Sequence, residues 1–342
     1  MLKAAIKYQM SINKSTQPKL IVGIGASAGG LDAFRTFFSK MPKKTGMAFV
    51  LLPHLDPNHQ SLMAPLLASQ INMPVSEAED DMLVEADNVY ILPPGKEITI
   101  TDLHLHLSDI EQPRHQWPAI DHFLTSLAKD QCERSVAIIL SGTGCHGTLS
   151  FRDIKTAGGM IIAQNPLTAQ HHQMPKNAID TGLVDLVASP EEMPAILIDY
   201  ASHPYLEKTT NNITEEILQS IYRILAYLHT RIKYDFSGYR KNMLLRRIQR
   251  RMCVNQTNTL EAYYDFLKAN PEEVMALNKD LLIGVTAFFR DEEAFQVLMQ
   301  KVMPKLIANC TQENPLRIWV PACATGEEVY TITMLIFEAF EH

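Results

Sequence analysis

Four short apolar runs, each closed by glycine, proline or a small polar residue, constrain this chain more than any other feature. They are LIVGIG (Leu20–Gly25), MAFVLLPH (Met47–His54), SVAIILSGTG (Ser135–Gly144) and GMIIAQN (Gly159–Asn165), and helix-like stretches separate them. A strand that is apolar at every position, not every second one, has to be covered on both faces. That is the pattern of a parallel sheet flanked by helices. The expected fold class is α/β, a doubly wound, mainly parallel sheet. DNVYILPPG and EITITDLHLHL, between the second and third runs, read as short strands with turns that form a hairpin. In such sheets chemistry sits beyond the carboxyl ends of the strands.

The rest of the chain changes character twice. Residues 1–18 read as a mobile leader and 19–197 as the α/β domain, and DYASHPYLEKTTNN marks a linker over 198–212. Residues 213–298 carry a helical pattern and predict a small all-α domain. LRIWVPACATGEEVYTITMLIFEAF, within 299–342, reads as strand, glycine turn and helix, the first element of a second α/β unit whose later strands are missing. The helix VYTITMLIFEAF then has no sheet to cover it, which predicts an exposed apolar patch. A length of 342 residues suits two or three domains, and 46% hydrophobic residues suffice for packed cores. No apolar run reaches the roughly 18–20 residues that span a bilayer, and no signal peptide is evident. The expected location is cytoplasmic, without membrane insertion. The five cysteines form no CxxC pair and read as reduced thiols, so neither a disulfide framework nor a metal site is expected.

Gly25-Ala26-Ser27-Ala28-Gly29 is a GxSxG string directly after a strand and before a helix. Small neighbours let a serine sit on a sharp turn, where its hydroxyl can act as a nucleophile if a base is adjacent. The plainer reading is a small-residue turn that meets an anion at the helix N-terminus. His54 closes the second run in LLPHLDP and falls on the same sheet edge as Ser27 if the two strands are neighbours. A histidine there is then a candidate general base rather than a structural hydrogen bonder.

LIVGIGASAGGLDAFRTFFSKMP, FVLLPHLDPNHQSLMAPLL, ILSGTGCHGTLSFRDIKTAGGMIIAQNP and MPKNAIDTGLVDLV, in that order, resemble the catalytic domain of chemotaxis receptor methylesterases of the CheB type. The resemblance covers about Leu20 to Leu197. It implies hydrolysis of glutamate γ-methyl esters on a receptor by a Ser-His-Asp triad, with no cofactor. Matched by motif, Ser27 is the nucleophile and His54 the base. The amide near Thr143 helps hold the oxyanion, and Met174 and Pro175 lie in a loop beside the site. The third member departs from the pattern. The loop reads Ser141-Gly142-Thr143-Gly144-Cys145-His146-Gly147, so His146 stands where the family has its aspartate. An imidazole there brings no negative charge, which predicts impaired catalysis unless Asp56 or Asp121 supplies a carboxylate.

Between Arg231 and Arg251 eight basic residues stand against one acid, Asp235, in a chain whose net charge is −7. Arg246 and Arg250, and Arg247 and Arg251, are spaced i, i+4 and would form adjoining stripes on a helix. The stripes read either as a solvated face or as a docking surface for an acidic partner. Nucleic acid is disfavoured, because no aromatic residues interleave with the Arg246–Arg251 stripes and no groove-reading motif follows.

DFSGYRKNMLLRRIQRRM, LLIGVTAFFRDEEAF and RIWVPACATGEEVYTITMLI resemble the chemoreceptor glutamate methyltransferases of the CheR type, from about Ile213 onward. The resemblance implies a basic helical domain that meets receptor helices. It also implies an S-adenosylmethionine pocket to which Thr286, Arg290 and Glu328 contribute. With only the opening of that domain present, weak or no cofactor binding is expected. The chain reads as a methylesterase-type domain joined to a partial methyltransferase, acting on chemoreceptor-like helices among other signalling proteins. The alternative is a non-catalytic signalling scaffold that docks on acidic receptor or partner helices.

Overall fold

A computed structural model of the chain describes residues 17–54, 61–110, 119–206, 213–283, 288–308, 310–311, 315–324 and 326–341. The chain divides into two compact units, Met1–Leu281 and Leu282–His342.

In the first unit the strands are β1 (Ile21–Ala26), β2 (Ala48–Pro53), β3 (Val75–Glu77), β4 (Met82–Leu83), β5 (Val89–Ile91), β6 (Lys96–Thr101), β7 (His104–Asp109), β8 (Ser135–Ile139), β9 (Met160–Gln164) and β10 (Leu186–Ala188). Among the described residues, seven of them form one sheet in the order β10-β9-β8-β1-β2-β5-β3. Every neighbouring pair in it is parallel. The helices around it are α1 (Gly30–Ser39), α2 (Met63–Ala68), α3 (Ala119–Gln131), α4 (Phe151–Ala157), α5 (Gln173–Asp180) and α6 (Met193–Ser202).

Alternation along β1 sends successive residues to opposite faces. Val22 and Ile24 join a core with Phe34, Phe37 and Phe38 of α1 and Leu197 of α6. Ile21 joins a second core with Phe123, Leu124 and Leu127 of α3, Phe151 of α4 and Met174 of α5. Covering on both faces is why the four runs are apolar throughout. From β1 the chain first builds β2 and the strands beyond it, then returns to place β8 on the other side of β1. The winding therefore reverses between β1 and β8, where such sheets hold their sites.

One expectation needs correction. EITIT and LHLHL do form an antiparallel hairpin, β6 with β7, to which β4 adds. The segment DNVYILPPG does not belong to it. Its Val89–Ile91 is β5, buried and parallel between β2 and β3. An apolar VYI triplet fits a doubly covered sheet better than a hairpin with one wet face.

The same unit continues into α7 (Glu215–Ile232), α8 (Lys241–Val254), α9 (Leu260–Ala269) and α10 (Pro271–Leu281). Thr214 and Thr259 cap α7 and α9, each accepting from a backbone amide in the first turn. Ile224, Leu228, Leu244, Ile248, Tyr263 and Leu277 make the core of this bundle. Cys253 and Val254 of α8 pack into the core beneath the sheet instead. Of the expected linker, residues 198–202 continue α6 and Pro204–Leu206 form a 3-10 turn. Tyr200 is buried there, and the Tyr205 hydroxyl donates to the Gly158 carbonyl at 3.0 Å. Residues 207–212 lie outside the described residues.

The arginine stripes do not form the outward face that a docking surface requires: Arg250 and Arg251 are buried, Arg247 is half-buried, and Arg246 alone of the four stays exposed. Arg250, fully buried, donates to the Gly159 carbonyl and pairs with Asp185 (2.6 Å) and with Asp280. Lys155 joins the same two carboxylates at 2.7 and 2.8 Å. Arg251 pairs with Glu273 at 2.5 Å and lies 3.4 Å from Asp185. Arg247 donates to the carbonyls of Lys155 and Thr156, and Arg246 to Glu133 and the Ala157 carbonyl. The positive face of α8 is thus engaged by the sheet domain. Three cations meet three carboxylates in its buried centre, which meets the requirement that buried charges be paired. Burial alone would raise the Asp185 carboxyl, but Arg250, Lys155 and Arg251 hold it far below the usual carboxylate range. Arg231 and Lys241, outside this cluster, lie over the rings of Tyr227 and Tyr222.

The second unit contains α11 (Glu292–Val297), a π-helical turn over Leu298–Val302, α12 (Met303–Ala308) and α13 (Glu327–Glu341). The expected strand LRIWV is not one. Residues 316–320 pair with no strand among the described residues, and a strand exists only as part of a ladder. As the apolar pattern of VYTITMLIFEAF predicts, α13 leaves Tyr330, Met334, Phe337 (68% exposed) and Phe340 uncovered, and Trp319 is 88% exposed.

Candidate active site

The parallel register brings the first two site residues together. Ala26 of β1 is the partner of Pro53 of β2, so Ser27 and His54 leave adjacent strands side by side. Backbone hydrogen bonds continue the ladder past the strand ends: His54 N donates to Ala26 O at 3.1 Å and Ser27 N to Ser141 O at 3.0 Å. Ser27 is half-buried and His54 exposed. Among the described residues no hydrogen bond joins the Ser27 hydroxyl to the His54 ring, and such contacts are often long before substrate arrives. The turn differs from a strained nucleophile elbow, because Ser27 itself keeps a negative φ. The left-handed residue is Gly29 (φ 75°), which starts α1.

The loop after β8 packs directly on that turn. A side chain at Gly142 would meet the Met174 sulfur at 2.6 Å and Ser27 Cβ at 2.9 Å, so only glycine permits the approach. Ser141 ties three segments: its hydroxyl donates to the Ala28 carbonyl (2.9 Å) and accepts from His171 N (3.0 Å), and its amide donates to Gln164 (2.8 Å). Met174 and Pro175, expected in a loop, are instead in α5 and buried. The amide of Met174 donates to Gly142 O at 3.0 Å. Asn177 of the same helix donates to Gly144 O at 2.7 Å. A cleft of about 510 Å³ opens beside this loop, lined by Thr143, Gln170, His172, Lys176 and Asn177 among others.

His146 lies in this loop with its ring centroid 5.6 Å from that of His54 and the planes tilted by 42°. Its Nδ1 is buried and makes no hydrogen bond. Burial, then the neighbouring charge of His54, lowers its basicity, while Asp121 acts the other way. Asp121 begins α3 and is fully buried. Its carboxylate accepts from the amides of Gly147 (2.7 Å), Leu149 (2.8 Å) and Ser150 (3.2 Å). Desolvation raises its carboxyl above the ordinary value, and those three amides pull it back. Asp121 is thus the carboxylate that holds the His146 loop. Asp56 lies outside the described residues. Nothing in the isolated stretch WPAID singles Asp121 out; only the turn of glycine and serine that needs its oxygens could have pointed to it.

In the second unit Thr286 lies outside the described residues. Arg290 is exposed and Glu328 sits exposed in the first turn of α13. Their segments adjoin, because Phe289 N donates to the Thr331 hydroxyl at 3.2 Å one turn along α13. Before that helix Ala322, Ala324 and Gly326 all have positive φ. Left-handed alanines are costly and tend to persist where a ligand loop requires them. The donor set, one guanidinium and one carboxylate on adjoining segments, fits the charged groups of S-adenosylmethionine.

Family comparisons agree with this division of the chain. The profile of the CheB methylesterase family matches residues 22–197, that of the CheR methyltransferase all-alpha domain 219–282, and that of the CheR methyltransferase SAM binding domain 284–342. An uncharacterized 104.1 kDa protein of Rhodobacter capsulatus is 36% identical over 82% of this chain and 32% of its own length. A protein-glutamate methylesterase/protein-glutamine glutaminase of Bacillus subtilis is 29% identical, over 57% of this chain and 56% of that protein. The crystal structure of the Thermotoga maritima CheB methylesterase catalytic domain has 30% identity and a TM-score of 0.48, covering 53% of this chain and 97% of that one. The chain therefore spans about a third of the Rhodobacter protein and about half of the Bacillus one. Among the described residues no helix is long and apolar enough to cross a membrane. With just over half of its length matched by one family profile, the chain belongs to the CheB methylesterase family and carries, after that domain, the two CheR methyltransferase domains of the same chemotaxis methylation chemistry.

Proposed function

We propose that the first unit hydrolyses glutamate γ-methyl esters on a chemoreceptor-like protein. The observation that carries this reading is the Ala26–Pro53 register, which sets a histidine beside the serine that follows β1, a strand bordering the point where the sheet winding reverses. His54 takes the Ser27 proton as the hydroxyl oxygen attacks the ester carbonyl. Methoxide leaves with that proton as methanol, and His54 then activates the water that frees the glutamate. The amide near Thr143 is the proposed oxyanion donor. The Bacillus subtilis relative is named a protein-glutamine glutaminase as well. The same acyl-enzyme serves a glutamine side chain, with ammonia as the leaving group.

His146 limits the rate in this reading. It offers His54 no negative charge, and Asp121, occupied by three amides, reaches His54 only through the loop it holds. That observation favours a second reading, a signalling scaffold in which esterase turnover is vestigial. Methanol release from a methylated receptor fragment decides between them, measured for the parent chain, Ser27→Ala and His146→Asp. Activity in the parent that vanishes in Ser27→Ala supports the esterase. Silence in the parent with gain in His146→Asp supports the scaffold.

The second unit is the proposed S-adenosylmethionine-binding part of a glutamate methyltransferase. Thr286, Arg290 and Glu328 would hold the cofactor, which supplies the methyl group for the reverse modification. For this chain alone, weak or no binding is the expected calorimetric result, and micromolar affinity would overturn that expectation. The proposed partners are receptor helices that carry the methyl-accepting glutamates.

A further inference from the structure

His54 follows β2 and His146 lies in the loop after β8, so their spacing in sequence does not announce a shared ligand. The fold nevertheless brings their rings to a centroid separation of 5.6 Å, with the planes tilted by 42°. Two imidazoles on one tetrahedral zinc ion, each with a Zn–N bond of about 2.0–2.1 Å, have centroids roughly 5–6 Å apart. His146 Nδ1 is buried and makes no hydrogen bond, a polar atom left without compensation. Both segments are anchored. His54 N donates to Ala26 O, and the Asp121 carboxylate takes the amides of Gly147, Leu149 and Ser150 just beyond His146. Ligands on anchored segments lose little freedom when an ion arrives. The lowered basicity of His146 keeps it neutral near pH 7, the form in which an imidazole ligates.

A histidine is a poor substitute for the acid of a triad, because it brings His54 no negative charge. It is a good co-ligand. We infer that His54 and His146 together bind one divalent first-row transition-metal ion, zinc above all, with water in the remaining positions. Imidazole nitrogens select such ions over magnesium and calcium, which prefer oxygen. Among the described residues no set of three or more His, Cys, Asp and Glu side chains could hold a metal. The site therefore has two protein ligands and open positions, which suits reversible binding rather than a resident structural ion. Its consequence rests on the esterase reading. A neutral imidazole has one in-plane lone pair, and an ion on His54 claims the pair that would accept the Ser27 proton. The bound ion thus blocks hydrolysis.

Calorimetric titration with Zn2+ in metal-free buffer tests the site in the parent chain, His54→Ala, His146→Ala and His104→Ala. His104 shares a face of β7 with His106 and serves as the control, an ordinary pair of strand histidines. The expected result is micromolar binding in the parent, weakened at least about tenfold by either site variant and unchanged in His104→Ala. Zn2+ should also raise the Tm of the parent and of His104→Ala, but not of the site variants, whose metal-free melts report whether they fold. With Co2+ as a paramagnetic probe, the ring-proton resonances of His54 and His146 should broaden together. Equal affinity in all four chains, or loss in only one of the two site variants, overturns the shared site. Methanol release from a methylated receptor fragment is read separately. Inhibition by Zn2+ that EDTA reverses supports the block, and a Zn2+-bound chain that turns over at full rate overturns it. If the parent binds Zn2+ but releases no methanol even in EDTA, the esterase reading fails while the metal site stands.

Discussion

His54 and His146 face each other with ring centroids 5.6 Å apart, and burial together with the charge of His54 makes His146 a weaker base than a free histidine. A proton that arrives on His54 during serine attack therefore meets a neutral dipole at best and a like charge at worst. A carboxylate in the same place would stabilise that imidazolium and set the tautomer. In a serine protease the loss of such a group costs about 10⁴ in turnover. His146→Asp is expected to raise methanol release by up to roughly that factor, read as kcat on a methylated fragment. An unchanged kcat would mean that position 146 does not address His54.

The same pair sets a pH dependence. The native protein holds the His146 proton less tightly than the unfolded chain, whose histidine has the ordinary value of 6.5. Between the lowered native value and 6.5 the unfolded chain binds more protons, so stability rises with pH across that window and is complete above it. Thermal melts should therefore show Tm falling as pH drops below about 6.5. His146→Gln should flatten that part of the curve. An identical slope in the variant would assign the effect elsewhere.

Much of the sheet was legible because both-face burial writes itself into continuous apolar runs such as LIVGI and AFVLL. Short strands were not: the VYI of β5 carries too few residues to separate a central strand from a hairpin arm. Ser27 and His54 could be placed on one edge because each directly follows such a run. Asp121 could be only one of two candidate acids, since its function lies in three amides that are 26 to 29 residues away. The arginine stripes were misleading for a related reason. Spacing shows that charges share a helix face, but it does not show whether that face meets solvent or the carboxylates of Asp185, Asp280 and Glu273.

Asp121 is predicted to matter through the loop. Removing its carboxylate leaves the amides of Gly147, Leu149 and Ser150 without their acceptor, each at a cost of about 1–3 kcal/mol when buried. Asp121→Ala is expected to lower unfolding free energy by at least about 3 kcal/mol in urea titration. Asp121→Asn keeps one acceptor oxygen and should lose less. Near-equal stability of Asp121→Ala and the parent would show that water replaces the carboxylate.

The last expectation concerns the seam between the sheet and the helical bundle. Asp185 is buried against Lys155, Arg250 and Arg251, so removing it leaves cations without their partner in a dry environment. Breaking a buried ion cluster in this way typically costs about 3–5 kcal/mol. The half-exposed pair of Arg246 with Glu133, by comparison, is worth at most about 1 kcal/mol. Asp185→Ala should therefore destabilise the sheet and the bundle together, in one cooperative transition over the first unit, and Arg246→Ala should barely shift it. Because the Asp185 and Asp280 carboxyls lie below their ordinary value, the stability they contribute is present above pH 3.8 and is lost only as pH falls through their lowered native values. Two separate transitions in the parent, or equal effects of the two variants, would show that α8 is held by its apolar contacts and not by this charge cluster.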